Sequence, residues 1–189
     1  MKKIFLLFAA ACVTLSAAAD EGMWMLPYLQ KMNSKDMKAR GCKLSAEEIY
    51  SMNNSSLKDA IVIFGGGCTG EIVSPDGLLF TNHHCGYGSI QSLSSVEHDY
   101  LKNGFWAMSR AEELPNEKLW VRFLVRMEEV TDRIAAGETA AQIVEKAKAE
   151  GTGYKASVEQ MYYGNQQFLF VYEQFDDVRQ KHSTVEHDY

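Results

Sequence analysis

The feature that most constrains this fold is a glycine-rich hairpin at residues 65–87, which contains the run Asn82-His83-His84-Cys85. Ser74-Pro75-Asp76-Gly77 has turn chemistry, because proline presets φ near the start of the turn and glycine closes it. The residues on either side, at 71–73 and 78–80, are predicted to be the two strands. We therefore expect a β scaffold that holds a histidine at the end of a strand.

Other segments around this hairpin carry strand or helix signals. The strand signals are β-branched runs or apolar–polar alternation at residues 60–64, 119–129 and 167–173. A capping box begins a predicted helix at 46–52, and helical patterns also cover 95–103, 138–150 and 155–163. The predicted fold class is mainly β with inserted helices, the insertions beginning at Ser95 and Glu138.

Residues 1–19 have the pattern of a cleavable signal peptide. Lys2 and Lys3 form a basic start, residues 4–15 are apolar but too short to span a bilayer, and Ala17-Ala18-Ala19 offers a cleavage site. An N-terminal anchor is a weaker alternative. A lipoprotein acylated at Cys12 is weaker still, because the apolar run continues past that cysteine. We predict an exported protein, periplasmic or secreted and cut after Ala19, with no membrane-spanning helix.

The charge of the mature chain bears on its partners. Removing the signal peptide takes away two of the 19 basic residues and none of the 25 acidic ones, which leaves a net charge of −8. No basic stripe is present, so nucleic acid is not expected as a partner. We interpret the acidity as a source of solubility rather than of substrate choice. Three cysteines remain, Cys42, Cys68 and Cys85, an odd number that allows one pair among them.

The clearest chemistry lies in His83, His84 and the two cysteines of the hairpin. In an oxidising compartment Cys68 and Cys85 could pair, and closing that loop would stabilise the fold by roughly 3 kcal/mol. Such a cross-link would hold His84 in the fixed position that a general base requires. Two alternatives stay open. One is an ordinary surface hairpin with solvated histidines. The other is a zinc site of all four side chains, although three consecutive ligands are hard to direct at one ion.

Another histidine, in Glu97-His98-Asp99, lies between two carboxylates, and this run is repeated at residues 186–188. Consecutive helical residues point in different directions, so we interpret both copies as solvated helix faces. A serine nucleophile is not identifiable, because the chain has neither Gly-x-Ser-x-Gly nor Gly-x-Ser-Gly; Gly86-Tyr87-Gly88-Ser89 is the nearest match. Four residues are candidate acids for His84, and the sequence selects none of them: Asp99, Asp132, Asp176 and Asp177.

Several motifs occur together and in order: Asp20-Glu21-Gly22-Met23-Trp24, Gly65-Gly66-Gly67-Cys68-Thr69-Gly70, residues 81–87, Gly104-Phe105-Trp106-Ala107 and Glu113-Leu114-Pro115. Thr81-Asn82-His83-His84-Cys85 resembles the segment of chymotrypsin-like proteases in which the histidine before a cysteine is the catalytic base. With the other motifs, residues 20–179 resemble the bacterial dipeptidyl-peptidase 7 and 11 family. Its members are exported serine exopeptidases that remove dipeptides from the free N-terminus of oligopeptides.

The resemblance implies part of a chymotrypsin-like double β-barrel, which is the trypsin-like serine protease architecture. It implies that His84 is the catalytic base, that His83 is non-catalytic, and that Cys85 pairs with Cys68. Family members are several times longer and carry the catalytic aspartate and serine beyond residue 189. We therefore expect residues 20–179 to be the N-terminal part of the catalytic domain. Its substrates would be oligopeptides with a free N-terminus. We expect no cofactor and no membrane partner, and a homodimer stays open for the full-length enzyme.

The last ten residues, 180–189, repeat residues 91–100 at seven of ten positions and depart from the family pattern. Because no nucleophile is identifiable, we expect the 189-residue chain to be inactive by itself. The alternative function is an exported, non-catalytic binding or structural domain on a protease scaffold.

Overall fold

A computed structural model describes residues 24–183, so the predicted signal peptide and the last six residues of the repeat lie outside the described part. The chain divides into two compact units, Met1–Lys43 and Leu44–Tyr189. In the described part of the first unit, a 3-10 turn at Leu26–Tyr28 precedes helices α1 (Leu29–Met32) and α2 (Ser34–Ala39). Pro27 lies in the first turn, where its missing N–H is not needed.

The second unit is mainly β, as predicted, with short helices between the strands. The strands in chain order are β1 (Ile61–Phe64), β2 (Cys68–Ile72), β3 (Leu79–Phe80), β4 (Phe105–Trp106), β5 (Leu114–Pro115), β6 (Val121–Glu129), β7 (Tyr154–Met161), β8 (Gln166–Phe175), β9 (Arg179–Gln180) and β10 (His182–Ser183). The helices are α3 (Ala46–Ile49), α4 (His83–Leu93), α5 (Tyr100–Asn103), α6 (Thr131–Ala135) and α7 (Ala140–Lys148). Among the described residues, no helix has the length and apolar character needed to cross a membrane.

One antiparallel sheet of six strands dominates the second unit, in the order β3-β2-β1-β6-β8-β7. Two short antiparallel pairs, β10 with β4 and β9 with β5, lie outside this sheet. Residues 179–183, which fall mostly in the predicted anomalous tail, are therefore paired to the folded chain. The predicted strands at 60–64, 119–129 and 167–173 are confirmed as β1, β6 and β8, and the predicted hairpin is confirmed as β2 and β3.

The triple glycine forms the tight connection from β1 to β2. Gly65 and Gly66 have φ of 59° and 90°, in the left-handed region that glycine enters without steric cost. A Cβ on Gly66 would also lie 3.2 Å from the ring of Trp120. The connection therefore needs glycine both for its backbone and for its packing. It delivers Cys68 opposite Phe64, at the start of β2.

The core consists of two apolar clusters in the second unit. In the first, α7 packs Ile143 and Ala147 against Leu169 and Val171 of β8, with Val130 also buried. Thr139 caps α7 through a reciprocal hydrogen-bond pair with Gln142, which fixes where the helix begins. In the second cluster, Val62, Phe64 and Val121 lie beneath the hairpin, and Cys68, Leu79 and Cys85 pack against them. The second cluster therefore supports the segment that carries His83 and His84, through its contacts with Cys68 and Cys85.

An ion-pair network joins β6, α6 and α7. The Arg133 guanidinium donates hydrogen bonds to Glu138 at 2.9 Å and to Glu128 at 2.9 Å, and Lys146 donates to Glu138 at 2.6 Å. The hydrogen bonds from Arg133 and Lys146 lower the pKa of Glu138 to about 2. Arg126 joins Glu128 at 2.6 Å and Glu150 at 2.8 Å. The network therefore connects the sheet to the helix that covers it.

Two predicted helices are wrong in type or extent. The segment 155–163 is mainly β7, paired with β8 along its whole length from Tyr154 opposite Glu173 to Met161 opposite Gln166. Its Tyr154, Ala156 and Val158 pack on the first core cluster. This period of two, together with strand pairing, overrides the helix propensity of its Lys, Ala, Glu, Gln and Met residues.

The predicted helix at 95–103 is reduced to α5, which begins at Tyr100 and ends before Gly104, the predicted stop. Residues 95–99 form a turn instead, in which the backbone N–H of Ser95 donates to the carbonyl of His98 at 2.9 Å. The predicted helices at 46–52 and 138–150 are confirmed, in shorter form, as α3 and α7. The Ser45–Glu48 capping box of α3 is present as predicted.

Candidate active site

His83 and His84 lie on the first turn of α4, which begins directly after Asn82. The sequence analysis predicted a histidine at a strand end and no helix at residues 83–93, and Gly86 and Gly88 are indeed poor helix formers. The helix nevertheless continues to Leu93, with Ile90 buried on its inner face. The histidines therefore sit where a loop leaving the hairpin enters a helix.

A disulfide joins Cys68 at the start of β2 to Cys85 in α4, with the two Cα atoms 6.0 Å apart. This confirms the predicted pairing. The Thr81 hydroxyl donates to the carbonyl of Thr69 at 2.7 Å, so the chain entering α4 is tied to β2 a second time. The Cys85 N–H donates to the Asn82 carbonyl at 3.0 Å and begins the helix. Together these contacts fix the backbone of His84 to the sheet.

The two histidines differ in environment although they are neighbours in sequence. The His84 side chain is exposed to solvent. The His83 ring is half-buried and meets the ring of Tyr87 edge-on, with centroids 6.1 Å apart. The Nε2 atom of His83 is buried and has no hydrogen-bond partner among the described residues. Only His84 is therefore presented to a reactant in solution, a difference that the sequence did not reveal.

The structure brings together only three of the four side chains that the sequence suggested as zinc ligands. One ligand atom each from Cys68, His84 and Cys85 lie within 4.8 Å of one another, whereas His83 is not part of this group. The two sulfur atoms are joined to each other and are not thiolates, so in the oxidised chain they cannot serve as the anionic ligands that zinc prefers. The four-residue site considered from the sequence is not formed.

None of the four candidate acids contacts His84 within the described residues. Asp99 accepts a hydrogen bond from the Lys102 N–H at 3.0 Å and caps α5. Asp132 lies in the first turn of α6. Asp176 accepts a hydrogen bond from the Gln174 side chain at 2.7 Å, and Asp177 accepts one from Arg179 at 3.2 Å. Each has a structural position of its own, and an orienting carboxylate for His84 is not found in this part of the chain.

The Glu97-His98-Asp99 run lies mostly in the turn before α5 rather than on a helix face. Glu97 accepts a hydrogen bond from the Ser95 hydroxyl at 3.1 Å, which lowers the pKa of Glu97 together with a larger contribution from its own backbone N–H. His98 stacks on Tyr100 with ring centroids 6.1 Å apart. These are the contacts of a solvated turn. Glu97 and His98 are exposed, as predicted, whereas Asp99 is half-buried and the predicted helix is wrong; the second copy lies outside the described residues.

Ser89, the nearest sequence match to a nucleophile, lies inside α4. A nucleophilic serine of this kind of enzyme sits on a strained or glycine-flanked turn with oxyanion donors beside it. Regular helical backbone has its N–H groups committed to the helix, so Ser89 lacks that setting. Among the described residues, the hairpin segment therefore presents the exposed His84, fixed by the disulfide, with no recognisable nucleophile beside it.

Comparisons with known proteins agree with this fold and identify a family. The family model described as Peptidase S46 matches residues 19–183. The Dipeptidyl-peptidase 7 of Capnocytophaga gingivalis is 49% identical over an alignment of 175 positions, gaps included, that covers 85% of this chain and 24% of that protein. The Asp/Glu-specific dipeptidyl-peptidase of the same species is 45% identical over an alignment of 193 positions, gaps included, that covers 95% of this chain and 27% of that protein.

A solved structure shares the fold. The crystal structure of Porphyromonas endodontalis DPP11 in complex with substrate has a TM-score of 0.75 and 38% identity, and the match covers 88% of this chain and 27% of that one. The chain therefore spans about a quarter of the length of the relatives it matches. Because the family model matches residues 19–183, which is nearly the whole chain, the protein belongs to the Peptidase S46 family.

Proposed function

We propose that residues 20–179 are the N-terminal part of the catalytic domain of a serine dipeptidyl-peptidase, with His84 as its general base. The observation that carries this proposal is the mounting of His84: its side chain is exposed, while the next residue, Cys85, is covalently tied to β2 through Cys68. The relatives named as dipeptidyl-peptidases support the reaction class. The substrates would be oligopeptides with a free N-terminus.

In this mechanism His84 accepts the proton of the serine hydroxyl as its oxygen attacks the scissile carbonyl. The same ring then delivers that proton to the leaving amine. Positioning is essential, because a misplacement of about 1 Å can cost on the order of 100-fold in rate. The disulfide and the Thr81–Thr69 hydrogen bond provide that positioning from two sides of the entry to α4. The aspartate and serine of the triad would come from outside residues 24–183.

The finer architecture belongs to the same proposal. We infer that the six-stranded antiparallel sheet is part of the histidine-bearing barrel of a chymotrypsin-like double β-barrel. The likeness to DPP11 over about a quarter of that chain supports this arrangement. A second barrel would then carry the serine, and the substrate would bind where both barrels present their catalytic groups.

The test compares the same substitution at neighbouring histidines in the full-length enzyme. His84→Gln is expected to lower kcat/KM for dipeptidyl substrates by at least about a thousandfold, because removal of a triad member leaves only binding and oxyanion stabilisation. His83→Gln is the matched control and should stay within about tenfold of the parent, since its ring is turned into the fold. Substrates with acidic and with hydrophobic side chains should both be used, because relatives of either name match the chain at similar identity. Equal losses for the two variants would contradict the assignment of His84.

The 189-residue chain itself should not react with a serine-directed phosphonate. Labelling of the purified chain would place a nucleophile within it and contradict the proposal. Reading the coding DNA past Tyr189 gives a second test: a continuing frame with a Gly-x-Ser-Gly segment supports the peptidase. A stop codon directly after Tyr189 supports the non-catalytic binding or structural domain.

Export is part of the proposal as well, with residues 1–19 as the signal peptide and the periplasm or medium as the destination. The Cys68–Cys85 disulfide supports it, because disulfides persist mainly in oxidising compartments. N-terminal sequencing of the exported protein should begin at Asp20; a chain that retains Met1 in the cytoplasm would contradict export. A homodimer of the full-length enzyme stays a prediction, to be measured by light scattering.

A further inference from the structure

The disulfide and His84 form a compact group whose chemistry changes when the disulfide is reduced. We propose that the reduced chain binds Zn²⁺ through the thiolates of Cys68 and Cys85 and a ring nitrogen of His84. Their ligand atoms lie within 4.8 Å of one another, although Cys68 is distant in sequence from the other two. Convergence of two sulfurs and one imidazole nitrogen is the donor set that zinc and other soft metals select.

The geometry needs only small adjustments. Zinc binds sulfur at about 2.3 Å and imidazole nitrogen at about 2.0 Å, so ligand atoms of a tetrahedral site are roughly 3.3 to 3.8 Å apart. The three ligand atoms are already within 4.8 Å of each other, and reduction lets the two sulfurs separate to fit the ion. The His84 side chain is exposed, which leaves the fourth position to water.

The neighbouring histidine provides a natural control. The His83 side chain is not part of the group, and its ring is half-buried against Tyr87. Both histidines lie within two residues of Cys85 in the sequence, so an unfolded chain would not distinguish strongly between them as zinc ligands. A folded site would use His84 alone.

The chemistry balances with a phosphine as the reductant. The phosphine gives two electrons to the disulfide and becomes a phosphine oxide, with its oxygen and the two thiol protons supplied by one water molecule. Binding of Zn²⁺ then displaces one proton from each thiol, and neutral His84 donates its lone pair. His84 in this complex is no longer available as a base, a consequence that rests on the proposed function.

The experiment measures metal binding without any enzyme assay, so its outcome is independent of the peptidase proposal. The 189-residue chain is prepared without residues 1–19 and with Cys42→Ser, so that Cys68 and Cys85 are its only thiols. Zn²⁺ is titrated against a chromogenic chelator, before and after phosphine reduction. The expected result is one equivalent bound after reduction and none before. His84→Ala should weaken the affinity by at least about tenfold, and His83→Ala should leave it unchanged.

Cadmium provides a direct spectroscopic readout, because thiolate coordination produces an ultraviolet charge-transfer band. That band should appear on adding Cd²⁺ to the reduced chain only. Three results would overturn the proposal: no Zn²⁺ bound after reduction, equal binding by the oxidised chain, or equal loss of affinity in the two histidine variants. The last of these includes a reduced chain that has unfolded and binds metal without distinguishing His83 from His84.

Discussion

The Cys68–Cys85 disulfide cross-links this hairpin and is expected to contribute substantially to the free energy of unfolding. The two cysteines are separated by 17 residues. In the chain-entropy account, closing a loop of that length removes enough conformational freedom from the unfolded state to stabilise the fold by about 3 kcal/mol. The double variant Cys68→Ala/Cys85→Ala should lose about that amount in urea unfolding followed by tryptophan fluorescence. Its Tm should fall by roughly 6 to 12 °C for a domain of this size.

Two controls separate the cross-link from side-chain packing, since both cysteines also contact the second core cluster. Reduction of the parent chain keeps the sulfur atoms in place and removes only the bond. If the entropic account is right, the reduced parent and the double variant lose similar free energy. A loss below about 1 kcal/mol in the reduced parent would refute the account and assign the effect to packing.

Three further outcomes follow from the fold. Gly66→Ala should destabilise the fold by about 1 to 3 kcal/mol in urea unfolding, because alanine must take a positive φ and its Cβ would contact the indole ring of Trp120. Gly67→Ala is the control and should cost far less, because Gly67 has open space around it and a φ outside the left-handed region. Equal costs for the two variants would contradict this interpretation of the turn. Because the pKa of Glu138 is lowered in the folded chain, its ionised form stabilises the fold above the unfolded pKa near 4.5, and this contribution disappears as the pH falls from about 5 to 2. The free energy of unfolding, measured across that range, should depend less steeply on pH in Glu138→Gln than in the parent. An unchanged slope would mean that the pairing with Arg133 is not maintained in solution. Leu169→Ala, at a side chain that is 1% exposed, should cost about 2 to 5 kcal/mol by thermal or urea unfolding, and a cost under 1 kcal/mol would mean that the first core cluster is loosely packed.

Elements with a strong local pattern were predictable from the sequence. The β-branched run at Ile61–Phe64 and the alternation at Val121–Glu129 each form a strand, although a register shift between Leu124 and Arg126 leaves Val125 exposed in the second. The disulfide was predictable because the predicted hairpin brings residues distant in sequence side by side. The proposal of His84 as the site residue came from the resemblance to a protease family and stays a prediction; the structure shows that its side chain is exposed.

Elements that depend on tertiary contacts were not predictable. Helix α4 contains Gly86 and Gly88, whose propensity opposes a helix, yet the disulfide ties the segment to β2 and Ile90 is buried. Strand β7 has a helix-like composition and is defined by pairing with β8. The different burial of His83 and His84 arises only after α4 exists, because their spacing around the helix directs one ring inward and the other outward.

If His84 is the base, as proposed, the contacts around it show how a short segment can position a catalytic base without providing the whole site. Three contacts that fix its backbone fall within residues 68–85: the disulfide, the Thr81–Thr69 hydrogen bond and the Asn82 carbonyl that starts the helix. A triad also needs a carboxylate at one ring nitrogen and a serine at the other. Within the described residues Asp99 is committed to capping α5, and the Asp76 carboxylate lies 3.7 Å from the Arg110 guanidinium. Under the proposed function, this segment therefore positions the general base, and catalysis also requires an aspartate and a serine from outside residues 24–183.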